Sequence, residues 1–114
     1  MNDIKIADLP LLYAGAELRA WADAFEVSLA GERNAPPTLD HHQCRFGKWL
    51  DSGGLAGRGS PSARQTIESL HRQVHELAAE LGNLKTQGQG HEAKMGLGEF
   101  HRLKDALLKC LYAL

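Results

Sequence analysis

Apolar residues return every three or four positions along three long stretches of this chain. The first stretch reads Leu11, Ala14, Leu18, Trp21, Phe25, Leu29. The second reads Ile67, Leu70, Val74, Leu77, Leu81, and the third Ala93, Leu97, Phe100, Leu103, Leu107, Cys110, Leu114. That spacing puts one greasy stripe on each of three helices. No stretch alternates apolar and polar residues as a half-buried strand does, so strands are not expected. A helix with a single apolar stripe is stable in water only when the stripe packs against another. The predicted fold is therefore all-α: a four-helix bundle of three long helices plus one short helix, the latter carrying a Cys-x-Phe-Gly-x-Trp-Leu segment.

Local punctuation sets the boundaries. Asp8 is a candidate N-cap with Pro10 inside the first turn, and Gly31 a candidate stop. Pro36-Pro37 excludes a helix from the connection spanning residues 32–40. His41 to Leu50 reads as one short helix or helical turn, ended by the glycine-rich run from Ser52 to Ser60. Ser60 followed by Pro61 is a strong helix start, and that helix should end near Lys85. Thr86 to Gly90 is a polar loop. Gly96 and Gly98 weaken the first turns of the last helix, by about 1 kcal/mol each relative to alanine. The whole chain, residues 1–114, is expected to be one domain. Because the last stripe runs to Leu114, a piece cut from a longer protein is expected; a sensor domain with its output domain removed would look like this.

Charge and length remove several function classes. A formal net charge of -1 offers no basic face for nucleic acid. No apolar run approaches the ~20 residues of a spanning helix, so no membrane contact is expected. Met1 to Lys5 lacks the basic and apolar regions of a signal peptide, which points to the cytoplasm. In that reducing compartment Cys44 and Cys110 read as thiols or ligands, not as a structural disulfide. Six histidines are more than ordinary usage gives a chain of 114 residues, a first hint of metal.

His71-Arg72-Gln73-Val74-His75 sets two imidazoles one helical turn apart on the same side. Such a pair alone is more often a coincidence of surface residues. Here Leu70, Val74 and Leu77 place it beside the core, where unpaired imidazoles cost free energy unless metal or hydrogen bonds satisfy them. Cys44 stands on the short segment with Phe46 and Trp49, whose rings would pin it to the bundle. A thiolate and two imidazoles are a donor set suited to zinc, which favours four ligands in a tetrahedron.

At these residues the sequence resembles the chemoreceptor zinc-binding (CZB) domain family. The resemblance is carried by Cys44-Arg45-Phe46-Gly47-Lys48-Trp49-Leu50 followed by His71-Arg72-Gln73-Val74-His75, and the helical layout extends it from about Asp8 to the end. It implies a four-helix fold holding Zn2+ on three histidines and one cysteine, with Cys44, His71 and His75 at three of the four positions. It also implies regulation of bacterial chemoreceptors or diguanylate cyclases, an output domain or chemotaxis partner, and a homodimer. The fourth ligand of the family is a histidine three residues before a tryptophan. Counting back from Trp21 gives Leu18, which cannot bind metal. His42, His41, His101, Glu17 or a water remain for that place, with His42 or a water favoured.

Three other functions compete. A zinc hydrolase would need a general base, yet Arg72 stands where the zinc-peptidase helix has its glutamate, so no enzyme is expected. An oxygen-binding di-iron bundle of the hemerythrin kind could use His101 and Asp105, but the first helix holds no histidine. The third is a metal-free helical dimerisation module that has lost zinc binding.

Overall fold

The computed structural model describes residues 9–31 and 36–114. It is all-helical: α1 (Leu9–Ala30), α2 (Arg45–Asp51), α3 (Pro61–Thr86), α4 (Gly90–Met95) and α5 (Leu97–Tyr112). Only Gly96 separates α4 from α5, so the two form the fourth rod of the bundle, broken at the glycine. α3 packs against α4 and α5, and α1 packs against α2 and α5.

The ends of α3 are set by side-chain and backbone chemistry. The Ser60 hydroxyl accepts the Ala63 amide at 3.1 Å, and Pro61 starts the helix where no intrahelical N–H is needed. At the other end the Gln89 amide reaches Leu84 O at 2.8 Å and the Gly88 amide reaches Lys85 O at 3.1 Å. That pair of bonds is a Schellman closure, and it requires the left-handed conformation that Gly88 adopts at φ 82°. Lys85 also donates to the carbonyls of Ser28 and Gly31, joining the end of α3 to the end of α1. A cation there satisfies exposed carbonyls and opposes the negative end of the α1 dipole.

Every residue of the expected α1 stripe is buried. On α3 the buried face is Ile67, His71, Val74, His75, Ala78 and Leu81, whereas Leu70 and Leu77 lie half-buried at its edge. The face is thus turned so that its centre falls on the two histidines. On α5, Leu108 and Leu111 are buried although the expected stripe omitted them, and Cys110 lies at its margin. The short helix begins at Arg45, not at His41, because Cys44 takes the capping position. The expected cap Asp8 lies outside the described residues, as do residues 32–35 of the connection.

Aromatic rings tie α1 to α5. Trp21 stacks on Phe25 at 5.9 Å, and both meet Phe100 of α5, at 6.0 and 5.0 Å between ring centres. Phe100 is fully buried. Phe100→Ala should therefore cost about 3–5 kcal/mol of unfolding free energy, read from the denaturant midpoint. Ser60→Ala should cost about 1 kcal/mol by the same measurement.

Candidate metal centre

His71 and His75 are each 2 % exposed, in the middle of the α3 core face. Burial dominates their acid–base behaviour. The His71 pKa falls from 6.5 to about 3, through desolvation first and then the neighbouring His75. The His75 pKa falls to about 4, through desolvation only partly offset by its bond to Leu39. Both rings are neutral at neutral pH, and a neutral imidazole offers a lone pair to a metal.

Which nitrogen His75 offers is set by its anchor. Its Nδ1 lies 2.9 Å from the carbonyl of Leu39. A carbonyl only accepts, so Nδ1 carries the hydrogen and the lone pair is left on Nε2. That Nε2 is buried and has no hydrogen-bond partner. Trp21 covers the His75 ring at 4.1 Å, and its indole N–H donates to Thr38 O at 2.8 Å. The carbonyls of Thr38 and Leu39 therefore fasten the connection to α1 and α3.

Cys44 arrives from α2. Its sulfur caps the helix by accepting the Gly47 amide at 3.2 Å, and it lies 3.3 Å from His71 Nε2. Phe46 is buried with its ring edge-on to His71 at 4.9 Å, and Trp49 packs on Phe46 at 5.9 Å. Burial pushes the Cys44 thiol up, while the amides of Gly47, Phe46 and Cys44 itself pull the other way. Without a cation the thiol form prevails. A cation at the sulfur would draw out the thiolate.

The donor atoms of Cys44, His71 and His75 all lie within 4.8 Å of one another, and all three residues are buried. Ligands bound to a tetrahedral zinc at 2.0–2.3 Å sit roughly 3.3–3.7 Å apart. The Cys44–His71 pair is already at that spacing. The orphaned His75 Nε2, an anchored tautomer and one soft sulfur make a set that fits a borderline-soft divalent ion. The cluster is able to hold a metal.

The other candidates lie elsewhere. His42 is exposed and holds Asp51 at 2.9 Å. Glu17 faces Arg45 at 3.5 Å. His101 pairs with Glu26 at 3.3 Å, and Asp105 with Lys104 at 3.5 Å, so these residues are not brought to the triad. Leu18 is fully buried in α1. His41 is half-buried beside the triad, its ring 5.8 Å from that of His71. The sequence reading missed two contributors: Leu39, which acts through its carbonyl and leaves no side-chain signal, and Trp21, which looked like one more member of a stripe.

Gly47 has a specific reason to lack a side chain. A Cβ there would sit 1.7 Å from the His41 carbonyl oxygen and 3.2 Å from His71 Cε1. The first neighbour is backbone and cannot swing aside. Gly47→Ala should displace the Cys44 cap and weaken metal uptake, measured by zinc titration, while leaving most helical circular dichroism. A second expectation concerns acid. In the metal-free protein the two imidazoles bind fewer protons folded than unfolded, so their stabilising effect is complete above pH 6.5 and is lost as pH falls towards about 4 and then about 3. A denaturation midpoint that drops through this window, and drops less in His71→Ala, would show it; a flat profile would contradict it.

Residues 19–81, more than half of the chain and a span holding all three clustered residues, match the chemoreceptor zinc-binding domain family. No curated protein and no solved structure matches the chain significantly. With its all-helical fold and its buried Cys-His-His cluster, the chain belongs to the chemoreceptor zinc-binding (CZB) domain family.

Proposed function

We propose that this domain is a regulatory sensor that holds Zn2+ on Cys44 Sγ, His71 and His75 and couples its occupancy, or the thiol state of Cys44, to helix packing. The observation that carries this reading is the buried, partnerless Nε2 of His75 beside the Cys44–His71 pair. Family membership supports zinc over other ions. When bound, zinc supplies a divalent charge that keeps Cys44 ionised inside the protein. Cys44 loses its proton on binding, and His75 keeps its orientation through Leu39.

The coupling follows from how lightly α2 is held. It is seven residues long and buries Phe46 and Gly47. A shared ion would join its first residue to the middle of α3. Oxidation of Cys44 by a peroxide, with sulfenic acid formed and water released, would remove the sulfur donor and free α2. The output is a chemoreceptor or diguanylate cyclase type of partner, acting in the cytoplasm on a homodimer. Exposed Leu9, Leu12 and Tyr13 on α1 are apolar surface consistent with a second copy. Among the described residues no helix is long and apolar enough to cross a membrane. The role is binding, not catalysis: Arg72 between the histidines faces Glu76 at 3.7 Å.

Leu18 favours a second reading, a helical dimerisation module that no longer binds zinc. The two readings differ in a direct measurement. Purified protein should contain one zinc per chain, and chelation should lower its melting temperature, because bound ion at a thousandfold over its Kd stabilises by about 4 kcal/mol. Cys44→Ala and His75→Ala should each abolish that shift. Protein without zinc, whose melting temperature is indifferent to added zinc and to chelation, would leave only the dimerisation module. Iron with a visible charge-transfer band would point instead to an oxygen-binding centre.

A further inference from the structure

We infer that His41 supplies the fourth protein ligand of this centre, closing it from the side of the cavity between α2 and α3. The inference rests on the triad being a zinc site. Toward α1, Leu18 is buried and offers no donor, Trp21 lies over His75 with its N–H already given to Thr38, and in the cavity that reaches Cys44 from that side the one carboxylate, Glu17, is paired with Arg45. Between α2 and α3 a cavity of about 500 Å³ is lined by His41, His42, Gly47 and His71 among others. A fourth side chain enters from there.

Ring positions single out His41. Two imidazoles bound to one tetrahedral zinc at about 2.0–2.1 Å have ring centres roughly 5 Å apart. His71 and His75 are 4.8 Å apart, and His41 stands 5.8 Å from His71 and 6.2 Å from His75. A shift of about 1 Å, within the reach of a side-chain rotation, brings the third ring to that spacing. The backbone beneath it is fixed. The Gln43 amide bonds Asp40 O at 3.0 Å, the His42 amide bonds the Asp40 carboxylate at 2.9 Å, and the His41 carbonyl lies 3.7 Å from Cys44 Sγ. Gly47 leaves room for that carbonyl. His41 and Cys44 thus present their side chains from one anchored turn, as His71 and His75 do from one turn of α3. His42 lies tilted against His41 at 4.1 Å between ring centres and pairs with Asp51 at 2.9 Å, which makes it a backstop to the ring. Glu17 is engaged by Arg45.

X-ray absorption at the zinc edge of the zinc-loaded full chain tests this, because sulfur and imidazole neighbours scatter distinctly. Wild type should show one sulfur and three imidazoles. His41→Ala should show one sulfur and two imidazoles with a light oxygen in place of the third, and its zinc affinity should fall at least about tenfold, since even outer-shell partners are worth about 10–100-fold. His42→Ala and Glu17→Gln should keep the wild-type spectrum. His41→Gln, which preserves size and polarity, should lose the third imidazole with unchanged helical circular dichroism, separating ligand loss from misfolding. Three imidazoles retained in His41→Ala, or only two in wild type, would overturn the assignment of His41 and leave the triad standing. No sulfur in the wild-type shell would overturn the triad itself.

Discussion

The structure depends on two neutral imidazoles placed at the centre of the α3 core face. A helix normally puts leucine or valine there, and the cost of a buried polar atom without a partner is about 1–3 kcal/mol. In a domain of 114 residues, where total stability is of the order of 5–15 kcal/mol, that is a heavy expense for packing alone. His75 recovers part of it through Leu39 O, which in turn fixes the connection between α1 and α2. Its second nitrogen recovers nothing from the protein. An arrangement that anchors one nitrogen of a buried ring and leaves the other bare is one that a cation could complete.

Cys44 makes the same point from the other side. As an N-cap it does what serine or aspartate would do, accepting the Gly47 amide. Serine would cap better, being smaller and more polar. Burial disfavours the thiolate of Cys44, and a thiolate is the donor that a soft or borderline cation would draw out. The cap bond uses the one Cys44 atom that could also bind a metal, so the start of α2 and the cluster are linked by geometry. Phe46 and Trp49 then carry that link outward along the short helix.

Much of this was legible in the sequence. The helical spacing of Leu11 through Leu29 and the Ser60-Pro61 start translate directly into α1 and the beginning of α3, because periodicity and capping are local chemistry. The pairing of Cys44 with His71 was legible through motif spacing. Less visible was the rotation of the α3 face. Leu70 and Leu77 suggest a stripe beside the histidines, yet packing against α5 and Trp21 turns the helix until the histidines are central. Leu108 and Leu111 were missed for the same reason: α5 buries a broader face than one three-four stripe can mark. Leu39 could not be read at all, since a carbonyl is common to every residue and only the fold decides which one meets a ring.

The centre is therefore asymmetric, and the asymmetry decides how it can work. Toward α1, Trp21 covers His75 and stacks on Phe25, which meets Phe100, and a smaller cavity lined by Glu17, Trp21 and Thr38 reaches Cys44. Toward α2 it opens on a polar cavity edged by His41, His42 and Asp51. Of the three clustered residues, Cys44 borders the cavity on the α1 side and His71 the one between α2 and α3. On the reading proposed above, the aromatic side would be the reference against which α2 shifts, because Trp21, Phe25 and Phe100 hold α1 to α5 whatever becomes of the sulfur.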